Sequence, residues 1–320
     1  QEFQIHSLQV QKTSDVQSKR LLAKLSHFDK TGWCTISSNN IKQQREFLMD
    51  VTQRLVSRSC PFCQNSAEDA QVLSYGSSEW PMIECNKCHF VYLKRAPVYE
   101  RLSEEFAWEK TSETERQVRE EREPVKQGLS RAFKHFRQKV LKRNKLPELI
   151  EKYIPGGRVL DIGCAAGGLL ATLPTKYQPH GIEVSKALAQ AASEVVEPRG
   201  GSIMHDNALN GIQKLPENHF AGVLMSAFLE HEVEPNGLLQ GVAKVLQPGG
   251  VVIIKVPNYG SWNRKIRAEK WCGFRLPDHV NYFTPENLEA LIVRQGMKVV
   301  QFGLADRQPT SDNMWIVAAK

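Results

Sequence analysis

The chain has 320 residues, 41% of them hydrophobic and 24% charged, enough for a sizeable buried core. A disulfide-stapled miniprotein, a disordered chain and a fibrous one are excluded. The net charge of +7 is uneven: Lys126 to Lys145 carry bases and no acid, directly after an acid-rich stretch from Glu104 to Glu123. Such neighbouring blocks read as solvated helix faces, with an anionic partner such as RNA as the alternative.

In chain order, residues 1–59 are polar, and Ile41, Leu48, Val51 and Leu55 fall at helical spacing, so this segment reads as a helical extension. The amino-terminal residues have no apolar h-region, and no apolar run is long enough to span a bilayer. A cytoplasmic chain with no membrane span is the expectation.

Residues 60–95 change character. Four of the seven cysteines form two C-x-x-C pairs, Cys60 with Cys63 and Cys85 with Cys88. Two such pairs at ribbon spacing give metal arithmetic in a reducing compartment, with four thiolates closing the sphere of a structural zinc. The sequence predicts a small ribbon that melts without disturbing the carboxyl-terminal domain. Residues 96–150 read as a charged helical connector.

From residue 151 to 320 the pattern alternates. Helix PELIEKYI leads to strand RVLDIG, then helix GLLATLPTK, strand PHGIEV and helix KALAQAASEVV. Strands SIMHDN and AGVLMSAF follow with no helix between them. Helix GLLQGVAKVL, strand VVIIKVP, helix PENLEALIVRQ and strands MKVVQFGLA and DNMWIVAA complete the run. The fold class is α/β, a doubly wound seven-stranded mixed sheet whose last two strands pair at one edge.

In such a sheet, ligands bind beyond the carboxyl ends of the strands. The first strand-to-helix turn reads VLDIGCAAGG. Its glycines permit a tight turn and close backbone approach, but they also fit a dinucleotide fingerprint. Asp161 at the strand end would repel a pyrophosphate and favours a cofactor carrying an ammonium. Glu183, ending the next strand, suits two ribose hydroxyls.

LDIGCAAGG, GIEVS, LEHEVEP and LQPGG together resemble the seven-stranded S-adenosylmethionine-dependent methyltransferases over roughly residues 155–305. The resemblance implies that Asp161, Gly163, Ala165 and Gly167 line the methionine part of S-adenosylmethionine. It also implies that Glu183 holds the ribose and that Asp206 with Asn207 lies by the adenine. The sequence is similar to the ubiquinone-biosynthesis-like branch, in which the segments holding His231 and His279 border the acceptor. Those histidines are the candidate general bases.

The insertion from Asn258 to Asn281 is long for its position. It reads as a lid, with Trp262, Trp271 and Arg275, and Tyr282 just beyond, placed to stack on and pair with the acceptor. A zinc ribbon ahead of such a domain resembles bacterial enzymes acting on sugars, surface polysaccharides or natural products. A small-molecule or glycan acceptor is therefore expected. Ribosomal RNA methyltransferases with a zinc module are the alternative, and a binding protein that has lost activity is a further one.

Overall fold

The computed structural model describes residues 55–68, 70–97 and 145–320. Most of the expected amino-terminal extension and of the charged connector, including the basic run from Lys126, lies outside the described residues.

Residues that alternate or run apolar form the seven-stranded sheet, in the order β12-β13-β10-β9-β6-β7-β8. In chain order these strands are β6 (Gly157–Ile162), β7 (Tyr177–Glu183), β8 (Ser202–His205), β9 (Phe220–Ser226), β10 (Leu246–Pro257), β12 (Lys298–Gln301) and β13 (Asn313–Ala319). β6 to β10 pair in parallel, and β13 lies antiparallel to both β10 and β12, which gives the mixed edge. Central β9 is buried at all but its last residue, as a strand covered on both faces must be.

Helices α1 (Lys145–Tyr153), α2 (Gly168–Thr172), α3 (Lys186–Val196), α4 (Ala208–Lys214), α5 (Pro235–Val245) and α7 (Pro285–Arg294) cover the sheet, and short α6 (Trp262–Arg267) lies in the long insertion. Several starts are set by side-chain caps that accept otherwise unpaired amides. Ser185 caps α3 through Leu188 N, and Thr284 with Asn287 forms a capping box at α7. Helix α4 departs from the sequence reading, which passed directly from one strand to the next. It has only seven residues with a glycine among them, too little for a helical period to show, and it is held by the Asn207 cap. Among the described residues no helix is long and apolar enough to cross a membrane.

The cysteine region is less separate than its sequence suggests. Leu55–Ser57, expected to end a helix, forms β1 and pairs with β5 (Arg95–Pro97). β2 (Gln71–Val72), β3 (Met82–Glu84) and β4 (Val91–Leu93) make a second sheet, whose fourth strand is β11 (Asn281–Tyr282), at the end of the long insertion. Trp80, Met82, Val91 and Leu93 of the ribbon share one apolar cluster with Trp271, Val280 and Tyr282 of the insertion. Arg294 of α7 stacks on Phe62, 4.4 Å from its centroid.

Because the carboxyl-terminal part lends β11 to the ribbon sheet and packs with the ribbon in common apolar clusters, the two are expected to unfold together. Chelation or Cys63→Ser should lower the melting temperature of the whole described fold, read by calorimetry alongside near-ultraviolet circular dichroism. A carboxyl-terminal transition indifferent to chelator would show two independent units.

Candidate functional site

β6 carries the chain to the carboxyl edge of the sheet, and the turn from Gly163 to Gly167 reverses it into α2. Both glycines have φ 75, a left-handed conformation that costs them no Cβ clash. At Gly163 a Cβ would also stand 2.3 Å from the Phe228 ring. Ala165 between them keeps φ 47 despite its methyl, a strain of the kind that collects at ligand sites.

Asp161 and Glu183 end neighbouring strands and are 5% and 7% exposed. Burial, and then the charge of Glu183, pushes the Asp161 carboxyl up to about 7. Glu183 accepts from Ala165 N and from Ser185 N, each at 2.9 Å. A buried carboxylate pair of this kind suits a cation at Asp161 and hydroxyl donors at Glu183. Cys164 packs against Gly181, and burial raises its thiol pKa, so it is a filler of the loop and no thiolate nucleophile.

Asp206 and Asn207 adjoin this edge, since Asp206 N donates to Glu183 O at 3.1 Å. Their side chains also have local work. Asp206 pairs with Lys214 and accepts from Asn207 N at 2.8 Å, while Asn207 caps α4 by accepting from Asn210 N at 2.9 Å.

Phe228, lying on Gly163, brings the segment after β9 against the loop. Beyond it the structure unites the two sequence-predicted histidines. His231 Nδ1 lies 2.9 Å from Asp278 O and His279 Nδ1 lies 2.8 Å from Gly273 O. Their rings meet edge to face with centroids 4.7 Å apart. An Nδ1–H donated to a carbonyl leaves the imidazole lone pair on Nε2. Burial, then the charge of Arg275, pushes His231 down to about 4, so it is a neutral imidazole near pH 7.

Glu230 belongs to the same cluster, with a side-chain donor atom within 4.8 Å of one on each histidine. It is 1% exposed, and its Oε2 has no hydrogen-bond partner among the described residues. Burial pushes this carboxyl up to about 8, against the opposing charges of Lys255 and Arg275. Glu230 lies within LEHEVEP and is not among the residues the sequence pattern singles out. The available signal was an acid set between apolar Leu229 and the neighbouring histidine.

The four acceptor candidates separate. Arg275 lies by the histidine pair and bridges to Asp278 at 3.6 Å. Trp262 is 55% exposed on α6. Trp271 is buried and donates from Nε1 to Asp312 Oδ1 at 2.7 Å. Tyr282 is buried against Tyr259 and Phe274, with ring centroids 5.9 and 5.5 Å away. The structure thus commits Trp271 and Tyr282 to packing under the ribbon, where the sequence suggested an open lid.

Cys60, Cys63, Cys85 and Cys88 converge, with all four Sγ atoms within 4.8 Å of one another. Cys60 to Cys88 is 3.5 Å and Cys63 to Cys85 is 3.6 Å. Four bonds of about 2.3 Å in a tetrahedron require sulfurs about 3.8 Å apart, so the set fits zinc after a small adjustment. Each knuckle turns on a left-handed residue just after its second cysteine, Gln64 at φ 61 and His89 at φ 57. His89 faces outward and pairs with Glu84 at 2.9 Å, leaving a set of four sulfurs.

A family model described as a methyltransferase domain matches residues 133–302. A ubiquinone biosynthesis O-methyltransferase of Bradyrhizobium sp. (strain ORS 278) is 26% identical over 177 residues, covering 50% of this chain and 68% of that protein. The uncharacterized protein MJ1123 of Methanocaldococcus jannaschii is 24% identical over 156 residues, covering 48% of this chain and 71% of that one. Among solved structures, a SAM dependent methyltransferase from Archaeoglobus fulgidus is similar, with a TM-score of 0.43 and 18% identity, over 59% of this chain and 99% of that one.

The raised Asp161 pKa has a definite sign in the absence of ligand. From the ordinary value of 3.8 up to about 7, folded Asp161 holds a proton that the unfolded chain releases. This group therefore removes stability as pH rises through that window. Asp161→Asn should flatten that part of the pH-stability curve, measured by urea melts. An unchanged slope would mean that Asp161 is ionised in the fold.

Proposed function

The chain belongs to the methyltransferase-domain family, and from that premise we propose that it transfers the methyl group of S-adenosylmethionine to a hydroxyl oxygen of a small or sugar-like acceptor. The observation that carries this reading is the buried pair Asp161 and Glu183 at the lip of a left-handed glycine turn. Two facing carboxylates out of water are unfavourable unless a ligand supplies a cation and hydroxyl donors. S-adenosylmethionine has both, an α-ammonium and a ribose diol.

When bound, S-adenosylmethionine supplies an electrophilic methyl carbon on a sulfonium. Asp161 would pair with the ammonium, Glu183 would accept from the ribose hydroxyls, and the amides of the glycine turn would hold the carboxylate end. Asp206 and Asn207 would border the adenine. The chain's further task is to align the acceptor oxygen with that carbon and exclude water. His231, or else His279 beside it, would take the acceptor's one hydroxyl proton on Nε2 as the C–O bond forms and the carbon–sulfur bond of the sulfonium breaks, with Arg275 beside them to orient the acceptor. The four-cysteine knuckle would hold a structural zinc, away from the reaction.

Glu183→Ala should weaken S-adenosylmethionine binding by about 1–3 kcal/mol, through loss of a hydrogen-bonded charge, in a calorimetric titration. Unaltered binding would remove Glu183 from the ribose. His231→Gln should lower kcat by roughly 10²–10⁴ with cofactor affinity intact, measured as labelled methyl incorporation into a panel of phenols and nucleotide sugars. Full turnover in that variant would assign proton removal elsewhere. Labelling of RNA alone from the same assay would overturn the small-molecule acceptor.

A further inference from the structure

Arg58 is a charged side chain only 5% exposed, two residues before the first knuckle cysteine. Its guanidinium reaches across the molecule. Nη1 donates to Val280 O at 2.9 Å and to Leu93 O at 3.4 Å. Nη2 donates to Val233 O and to Asn281 Oδ1, each at 2.8 Å. The partners belong to three separate pieces of chain: ribbon strand β4, the segment after β9, and strand β11 with the residue before it.

Those pieces are also laced to each other. Asn281 Nδ2 donates to Leu229 O at 3.2 Å and to Glu232 O at 2.6 Å. Glu230 O accepts from Val280 N at 2.9 Å and from Asn281 N at 3.1 Å. Leu93 N donates to Val280 O at 3.0 Å. Every bond of this network falls on a residue within two positions of His231 or His279, or on the ribbon. A planar fork of donors with no alternative protonation state suits such a junction, and a lysine could not span it.

We infer that Arg58, acting with Asn281, is a positioning residue that sets the separation and orientation of His231 and His279 from the ribbon side. The inference rests on the reading that these histidines face the acceptor. Arg58 acts through backbone carbonyls. It fixes the carbonyls of Val233 and Val280 and so the two backbones that carry the imidazoles. The four-cysteine knuckle then has a second consequence beyond holding its own loop, because Arg58 enters the network from the strand that leads into Cys60. A displacement of about 1 Å at a reacting group costs on the order of 10²-fold in rate, so a remote fork can govern turnover.

The test uses the full zinc-loaded chain with Arg58→Lys, which keeps the charge and loses the fork, and Asn281→Asp, which is isosteric and loses two donated bonds. Both should bind S-adenosylmethionine within about twofold of the parent, yet lose about 10- to 100-fold in kcat per folded molecule. The ring resonances of His231 and His279, assigned by histidine-labelled NMR, should move in both variants. In Arg58→Ala, added guanidinium should restore part of the turnover. Unmoved ring resonances, with a lowered melting temperature as the only change, would make Arg58 a merely structural residue. So would a parallel loss of cofactor affinity and turnover. Should the parent transfer no methyl group to any acceptor, the reading of the reaction fails. The ring resonances would still decide whether Arg58 positions the histidines.

Discussion

Two carboxylates buried at the ends of adjacent parallel strands are the constraint from which the rest of the site follows. Asp161 and Glu183 cannot both shed water and both ionise without compensation, and the chain supplies only part of it. Ala165 N and Ser185 N satisfy Glu183, while burial and the neighbouring charge leave Asp161 with its pKa raised to about 7. The glycine turn serves the same end. Its two left-handed glycines let the backbone fold over the acids, and Phe228 closes on Gly163 where a side chain would block it. In the proposed function, a ligand carrying an ammonium and a diol supplies the remaining compensation.

The second organising feature is that the long insertion lends strand β11 to the ribbon sheet. β11 is only two residues long, but it joins the ribbon sheet while its neighbours carry His279 and the bonds to Glu230. A ribbon built this way packs against the segments that carry His231 and His279. This explains why the aromatic residues of the long insertion are mostly buried, since Trp271 and Tyr282 face the ribbon and share its apolar cluster.

Much of this was legible in the sequence, for identifiable reasons. Central strands buried on both faces read as apolar runs, the glycine turn marked the carboxyl edge of the sheet, and paired C-x-x-C spacing marked the four-cysteine cluster. His231 and His279 were legible as residues with suitable chemistry, and the structure adds that they meet. Other features depend on contacts that no local pattern encodes. Helix α4 is too short and too glycine-bearing to show a period. β11 finds its partner far upstream in the ribbon. Trp271 looked available because an aromatic in a basic insertion has the same composition whether it faces solvent or a core. Arg58 sits in a polar stretch resembling any surface arginine, and only the fold shows that its guanidinium is buried on four acceptors.

In the proposed function the buried acid pair receives the cofactor. The most direct test of this is the proton balance of S-adenosylmethionine binding, obtained by calorimetry near pH 7 in buffers of different ionisation enthalpy. If Asp161 meets the ammonium, binding must release a proton from that carboxyl, and the release must vanish in Asp161→Asn. Binding with no proton release from the parent chain, or the same release from both chains, would contradict the account.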